Sequence, residues 1–346
     1  SVVYPGEDYD EKPYIDSVLS MHKLRGHFVE PQARPFSDFG KDIARHLDLT
    51  DGPNGADTRQ LRQIAKARNI RVMLDGYGGD EWFGRGRHYY NYLMKKRDFR
   101  RIYAQLLMDR KSGRDLRELM KELLGGGVGP MLPGFVRGPL KALWLHMRRG
   151  QEHSPAYGLV APAMAAELGL SQRLSPQVAC RLTSQLDHQA RHQILHYGWN
   201  VRGKEINSTL EATYELEERS PFDDHKMVEF AFGLPEEQRS GGLGKHVIRR
   251  AMQGLIPEMV RTRTDKAEFT SLVASAVRSG PVHESLAHSH LISQGIVDEQ
   301  SARQISEAFC RSCDLGLEGV SGVEWQLWMF MILEEWVSTL RVDSRV

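Results

Sequence analysis

The sequence predicts an α/β fold, a parallel sheet incomplete at its N-terminus followed by a large, mainly helical C-terminal part. Three observations predict it. Strand and helix patterns alternate through the first ninety-odd residues, the signature of a parallel sheet with crossover helices. A strand pattern at Ile70–Leu74 runs into a glycine-rich turn with two carboxylates, Asp75-Gly76-Tyr77-Gly78-Gly79-Asp80-Glu81-Trp82. From about Tyr89 the pattern turns mainly helical.

The elements follow in order. Val2–Tyr4 reads as a strand that begins almost at the first residue, so part of the sheet is expected to lie upstream. Asp10–Leu24 reads as a helix, with Pro13 near its start and Tyr14, Ile15, Val18, Leu19 and Met21 on a roughly common face. His27–Val29 reads as a second strand. A loop around Asp51-Gly52-Pro53-Asn54-Gly55 precedes a helix over Thr58–Arg68, with Leu61, Ile64 and Ala65 inward. In parallel sheets ligands bind at the carboxyl ends of the strands, where the glycine turn after Leu74 falls. The runs Gly125–Pro130 and Pro133-Gly134 are expected to interrupt the helical region. The last strong helix, Glu324–Leu340, carries Trp325, Trp328, Met329, Ile332, Trp336 and Leu340, a stripe that is most simply core packing.

Composition limits the partners. Hydrophobic residues make up 40% of the 346 and charged residues 26%, with a formal net charge of +1. That balance points to neither nucleic acid nor an acidic membrane. No apolar run is long enough to span a bilayer, and no signal peptide is visible. Three cysteines make no disulfide framework, so a reducing cytoplasm is the expected compartment.

Glycines let backbone amides approach a phosphate, and a carboxylate beside them can hold magnesium. Alone, the turn is a weak signal. Three later segments give it meaning: Glu217-Glu218-Arg219-Ser220-Pro221-Phe222-Asp223-Asp224, then Gly244-Lys245-His246-Val247-Ile248-Arg249-Arg250-Ala251 with Ile256-Pro257-Glu258, then Arg263-Thr264-Asp265-Lys266-Ala267-Glu268-Phe269. In this order after a Gly-x-Gly-x-Asp-Glu turn, over roughly residues 1 to 270, the sequence resembles the synthetase domain of the asparagine synthetase family. That family includes β-lactam synthetase, carbapenam synthetase and lasso peptide cyclases. The resemblance implies a Rossmann-like sheet of the adenine nucleotide alpha hydrolase type. It divides the chain into the remainder of the nucleotide-binding sheet (1–94), a helical insertion (95–185) and a mainly helical completion of the domain (186–346). It also implies ATP and Mg2+ as cofactors, a small-molecule or peptide carboxylate and amine as substrates, and amide formation through an acyl-adenylate.

Residue by residue, the resemblance implies that Asp80 serves magnesium and pyrophosphate, with the amides of Gly76, Gly78 and Gly79 around it. Lys245 matches a phosphate-contacting lysine, and Lys266 the lysine that stabilises acyl charge. Tyr77 stands where asparagine synthetases commonly carry glutamate and β-lactam-forming relatives carry tyrosine. Counting back from Pro221-Phe222, its expected partner is Glu205, the pair removing a proton from the amine. Arg219 is expected to pair with a carboxylate and fix the wall of the site.

The family's Ser-Gly-Gly-x-Asp-Ser pyrophosphate loop does not occur in these residues, nor does a glutaminase domain with an N-terminal cysteine. Ser240-Gly241-Gly242-Leu243-Gly244-Lys245 mimics the loop's start, but Gly244 stands where an aspartate belongs; it reads as a turn before a helix. The chain alone is therefore expected to bind ATP poorly or not at all. Three readings follow: the larger part of a ligase making asparagine or closing a lactam or macrolactam, a degenerate homologue that binds a peptide or partner, or half of a split enzyme whose loop comes from a separate chain. His188, His192 and His196 share a helical face without completing a metal set, and Cys310-Arg311-Ser312-Cys313 is a lone C-x-x-C.

Overall fold

The computed structural model describes residues 1–346 except 8, 32–33, 50–51, 53–55, 85–88, 134, 137–157, 174–191, 193, 196–197, 265–269, 316–322 and 344–346. Helix α1 (Lys12–His22) begins with Pro13 in its first turn, where a missing N–H costs nothing, and ends at Lys23 in the left-handed region. Around it Val2 and Val29 form a parallel bridge. Val3 N–H donates to the Val29 carbonyl at 2.9 Å and Val29 N–H to that of Ser1 at 3.0 Å. Both expected strands are present only as this bridge, because Tyr4 turns out of the ladder to donate its N–H to Asp10 Oδ1.

Helix α3 (Ala56–Ala67) leads into strand β1 (Val72–Leu74). The strand is shorter than its sequence pattern because Ile70 N–H closes the end of α3 on the Ala65 carbonyl, after Asn69 takes a left-handed turn. β1 pairs in parallel with β2 (Glu217–Arg219), in the register Val72–Glu217, Met73–Glu218 and Leu74–Arg219. Beneath this ribbon, the buried Arg62 of α3 meets Glu218 through Nε at 2.7 Å and Nη2 at 2.9 Å. The opposite face is bare: Ile70, Val72 and Leu74 are 44, 39 and 71% exposed.

Helix α2 (Phe36–His46) carries no motif that singled it out in the sequence. Phe36, Phe39, Gly40 and Ile43 nevertheless recur at helical spacing, and Phe36 and Phe39 meet Trp328 edge-on. The main core joins α2 to the last helices, with Val273, Val277, Ile305, Leu327, Phe330 and Met331 all buried. The C-terminal tryptophan stripe, on a helix spanning Val323–Asp343, contributes to this core. A second core joins Trp82 and Phe83 to Ala231 and Leu234, and a third joins Tyr89, Tyr90 and Leu93 of helix α5 (Tyr89–Lys95) to Ile102. Each core draws on residues from more than one of the three sequence segments, so burial binds those segments together.

The result is an α/β fold with a small parallel sheet and a large helical part. The glycine run at 125–129 does not break the helical region as its composition predicts. Residues Glu122–Val128 continue as a wide π-helical turn, in which Gly127 lies against Tyr90 and its carbonyl accepts from Asn91 Nδ2 at 2.8 Å.

Candidate functional site

β1 and β2 run in the same sense, so their carboxyl ends open on one cleft of about 620 Å³. Tyr77, Ser220, Pro221, Asp223 and Asp224 line it, together with Lys204, Asn207, Ser208 and Glu211. These last four share a face of helix α7 (Gly198–Tyr214), at i, i+3, i+4 and i+7.

The turn after β1 is held by its own chemistry. Asp75 Oδ1 accepts the Tyr77 N–H at 3.0 Å, a local Asx turn. Gly79 N–H donates to the Gly76 carbonyl and Trp82 N–H to that of Gly78, starting helix α4 (Gly79–Phe83). Gly78 has φ +89°, and a Cβ there would sit 3.0 Å from both the Asp223 nitrogen and the Phe222 carbonyl carbon. A Cβ on Gly79 would meet the Phe222 ring at 3.6 Å, whereas Gly76 faces open space. Of the three glycines, Gly78 thus serves close packing of the turn against the Phe222-Asp223 backbone. The Gly79 amide is engaged inside the turn, which leaves those of Gly76 and Gly78 without a hydrogen-bond partner among the described residues.

Asp223, in the 3₁₀ turn Pro221–Asp223 after β2, ties that turn to the glycine turn. Its Oδ1 accepts from Trp82 Nε1 at 2.7 Å, and its Oδ2 accepts from the Lys204 ammonium. The Lys204 nitrogen also stands over the Tyr77 ring, 5.8 Å from its centre. Burial, and after it the charges of Glu81, Asp223 and Asp75, push the Tyr77 hydroxyl above its ordinary range. Tyr77 is therefore a neutral phenol at physiological pH, able to donate or relay a proton but not to act as a phenolate base.

The expected Tyr77–Glu205 pair does not form. Glu205 is exposed and receives Arg202 Nη1 at 3.2 Å, the same guanidinium that bonds Asp48. It lies about 100° around α7 from Lys204, off the face that lines the cleft. The carboxylates near Tyr77 are Glu81, Asp223 and Asp75, and Glu211 lines the same cleft. The spacing of Lys204, Ser208 and Glu211 is the sequence signal that could have found that wall. Arg219 pairs with a carboxylate, Glu217, on the exposed surface and also lines the cleft; support beneath the ribbon comes from Arg62 and Glu218.

Lys245 comes to the glycine turn as the motif order implies. Its Nζ lies 2.9 Å from Asp80 Oδ1, and both side chains are partly exposed. Ser240 ends a helix, Glu236–Ser240, and Gly241–Lys245 form the turn before helix α8 (His246–Ala251), whose Val247 and Ile248 pack on the Trp82-Phe83 core. The described residues form no set of three His, Cys, Asp or Glu fit to hold a metal. A lone exposed Asp80 suits magnesium bound mainly through water and substrate phosphates. Lys266, His188 and His196 lie outside the described residues. Cys310 and Cys313 sit within a helix, Glu299–Asp314, rather than after one, and both are free thiols. No helix among the described residues is long and apolar enough to cross a membrane.

A family model described as asparagine synthase matches residues 1–338. No curated protein matches the chain.

Proposed function

The chain belongs to the asparagine synthase family, whose members form amide bonds at the expense of ATP, and from that premise we propose that it carries the acyl-transfer site of an AMP-forming carboxylate–amine ligase. A carboxylate oxygen of the substrate attacks the α-phosphorus of ATP and pyrophosphate leaves. An amine nitrogen then attacks the acyl carbon and AMP leaves, with the amine's proton passing to the protein.

The observation that carries this reading is the meeting of Lys245 and Asp80 at the carboxyl end of β1. A cation and a carboxylate beside two unused amides, Gly76 and Gly78, suit a phosphate chain and its magnesium. Asp80 would hold the metal, whose chemistry is to neutralise charge on the departing pyrophosphate. Lys245 would take the phosphates, and Lys266, by motif position, the acyl oxygens. Tyr77 would relay the amine's proton, with Glu211 rather than Glu205 as the carboxylate the cleft offers. An amine already on the substrate, hence lactam or macrolactam closure, follows from tyrosine at position 77; asparagine formation is the alternative on the same site.

A second observation bears on the pyrophosphate loop. In the parallel pairing, Arg71 and Asp75 bond towards β2, so the N–H and C=O groups of Val72 and Leu74 point to the other edge. That edge has no strand partner among the described residues, and its apolar face is bare. A parallel strand added there would deliver whatever follows it to the same cleft, which supports a loop supplied by another stretch of polypeptide, including a separate chain.

The test is ATP–pyrophosphate exchange by the protein together with a polypeptide carrying a Ser-Gly-Gly-x-Asp-Ser segment, against candidate acids and short peptides. Exchange that depends on one acid, and falls about 100-fold or more in Lys245→Met, is the expected outcome. No exchange with any acid, loop present, leaves a partner-binding module instead.

A further inference from the structure

We propose that Gln105, in the helical segment between β1 and β2, is a positioning residue that sets Lys245 against the glycine turn; this rests on the phosphate role proposed for Lys245.

Helix α6 (Phe99–Lys111) begins at Asp98, whose carboxylate caps Arg101 N–H. It buries Ile102, Gln105 and Asp109 on one face. Gln105 is 5% exposed and Asp109 4%. Gln105 Oε1 accepts the Gly242 N–H at 3.1 Å, and Gln105 Nε2 donates to the Gly242 carbonyl at 2.9 Å and to Asp109 Oδ1 at 2.8 Å. A carboxylate can only accept, so Asp109 fixes which way the amide faces. Asp109 is itself held by the Tyr90 hydroxyl at 2.8 Å on Oδ2, with Arg114 at 3.5 Å.

A buried amide with both ends on the N–H and C=O of one glycine specifies that glycine's place and plane. Gly242 is three residues before Lys245, and the segment between is short and unusual. Gly242 and Gly244 both have φ +77°, and Lys245 has φ +48°. The carbonyl of Gly244 accepts from Arg249 Nε at 2.9 Å. The turn is thus fixed at Gly242 by α6 and at Gly244 by α8, and Lys245 leaves it directed at Asp80. Without the first anchor, the turn can settle against α6 in other ways, and the lysine loses its direction while α8 stays packed through Val247 and Ile248.

The experiment compares wild type with Gln105→Met, which keeps the volume, and Gln105→Asn, which keeps polarity but falls short of Gly242. Each is measured as the full chain for melting temperature, for Lys245 acetylation by a limiting acylating reagent read by mass spectrometry, and, with a Ser-Gly-Gly-x-Asp-Ser segment supplied, for inorganic pyrophosphate affinity. Both variants are expected to stay folded, to change Lys245 acetylation at least about threefold relative to the other lysines, and to bind pyrophosphate about tenfold more weakly. Lys245→Ala should weaken binding to a similar degree, and Gln105→Met added to Lys245→Ala should weaken it no further, because Gln105 acts through that lysine. Unchanged acetylation in a folded variant, or additive losses in the double variant, overturns the proposal. If wild type binds no pyrophosphate, the phosphate reading of Lys245 fails, and the acetylation comparison still decides whether Gln105 sets the lysine's position.

Discussion

Lys245 breaks a local rule, and its neighbours show why that matters. Five other non-glycine residues have positive φ among the described residues, and Lys23, Leu47, Asn69, Arg97 and Glu215 all follow the ends of helices. That is an ordinary left-handed termination. Lys245 instead precedes a helix, where the conformation costs about 1–2 kcal/mol. Its partly exposed pair with Asp80 returns about 0–1 kcal/mol, so stability does not account for lysine there. Lys245→Gly is expected to raise stability by up to about 1 kcal/mol in urea unfolding while pyrophosphate exchange is lost. A second residue-scale expectation concerns Tyr92, whose hydroxyl donates to Glu237. Burial first, then that bond, raises the phenol far above its ordinary value of 10.0. Burial opposes the shift at Glu237, but the Tyr92 hydroxyl, a backbone amide, Lys96 and Arg101 together lower it from 4.5. A raised acid binds its proton more tightly when folded, so its contribution is intact below pH 10 and lost as pH rises above it. A lowered carboxylate contributes fully above pH 4.5 and loses that contribution as pH falls. Urea midpoints from about pH 4 to about pH 11 should fall less steeply at both ends in Tyr92→Phe than in wild type.

At the scale of elements, the site depends on a turn, a ribbon and one helix face. Gly78→Ala adds a left-handed penalty and a contact with the Phe222-Asp223 backbone, which cannot yield as a side-chain tip would. A loss of about 1–3 kcal/mol is expected, read as a lower denaturant midpoint, together with loss of exchange as Asp80 shifts. The ribbon is held from below by the buried Arg62 and by Glu218, whose side chain is 10% exposed. Arg62→Ala strands the Glu218 carboxylate and should cost about 3–5 kcal/mol, whereas the double change Arg62→Met with Glu218→Leu should recover most of it. The glycine turn was legible because a strand pattern followed by glycines and carboxylates is local chemistry. The facing side of α7 was not, because the motif that named Glu205 counts residues along the chain. A helix turns about 100° per residue, so a displacement of one position selects a different face, and only packing against β2 and α3 sets it.

Across the whole molecule, burial joins the two ends of the chain. Phe39 from the N-terminal part lies edge-on to Trp328 from the last helix, ring centres 4.7 Å apart. Phe39→Ala should therefore destabilise the protein by about 3–5 kcal/mol. If the cores unfold as one unit, the transition at Trp82, in a separate core, should shift equally when followed by fluorescence after replacement of the other tryptophans. The sequence by itself determined the family, the order of the motifs, the strand that ends in the glycine turn and the arrival of Lys245 there. Each of these is written in residue type and spacing, which short-range sterics and hydrogen bonding translate directly. Only the tertiary structure decided that Gly78 serves packing against Asp223, that Glu211 rather than Glu205 lines the cleft, that one edge of β1 lacks a strand partner among the described residues, and that Gln105 meets Gly242. Those facts depend on which surfaces meet when distant segments are buried together, and distance along the chain carries no record of that.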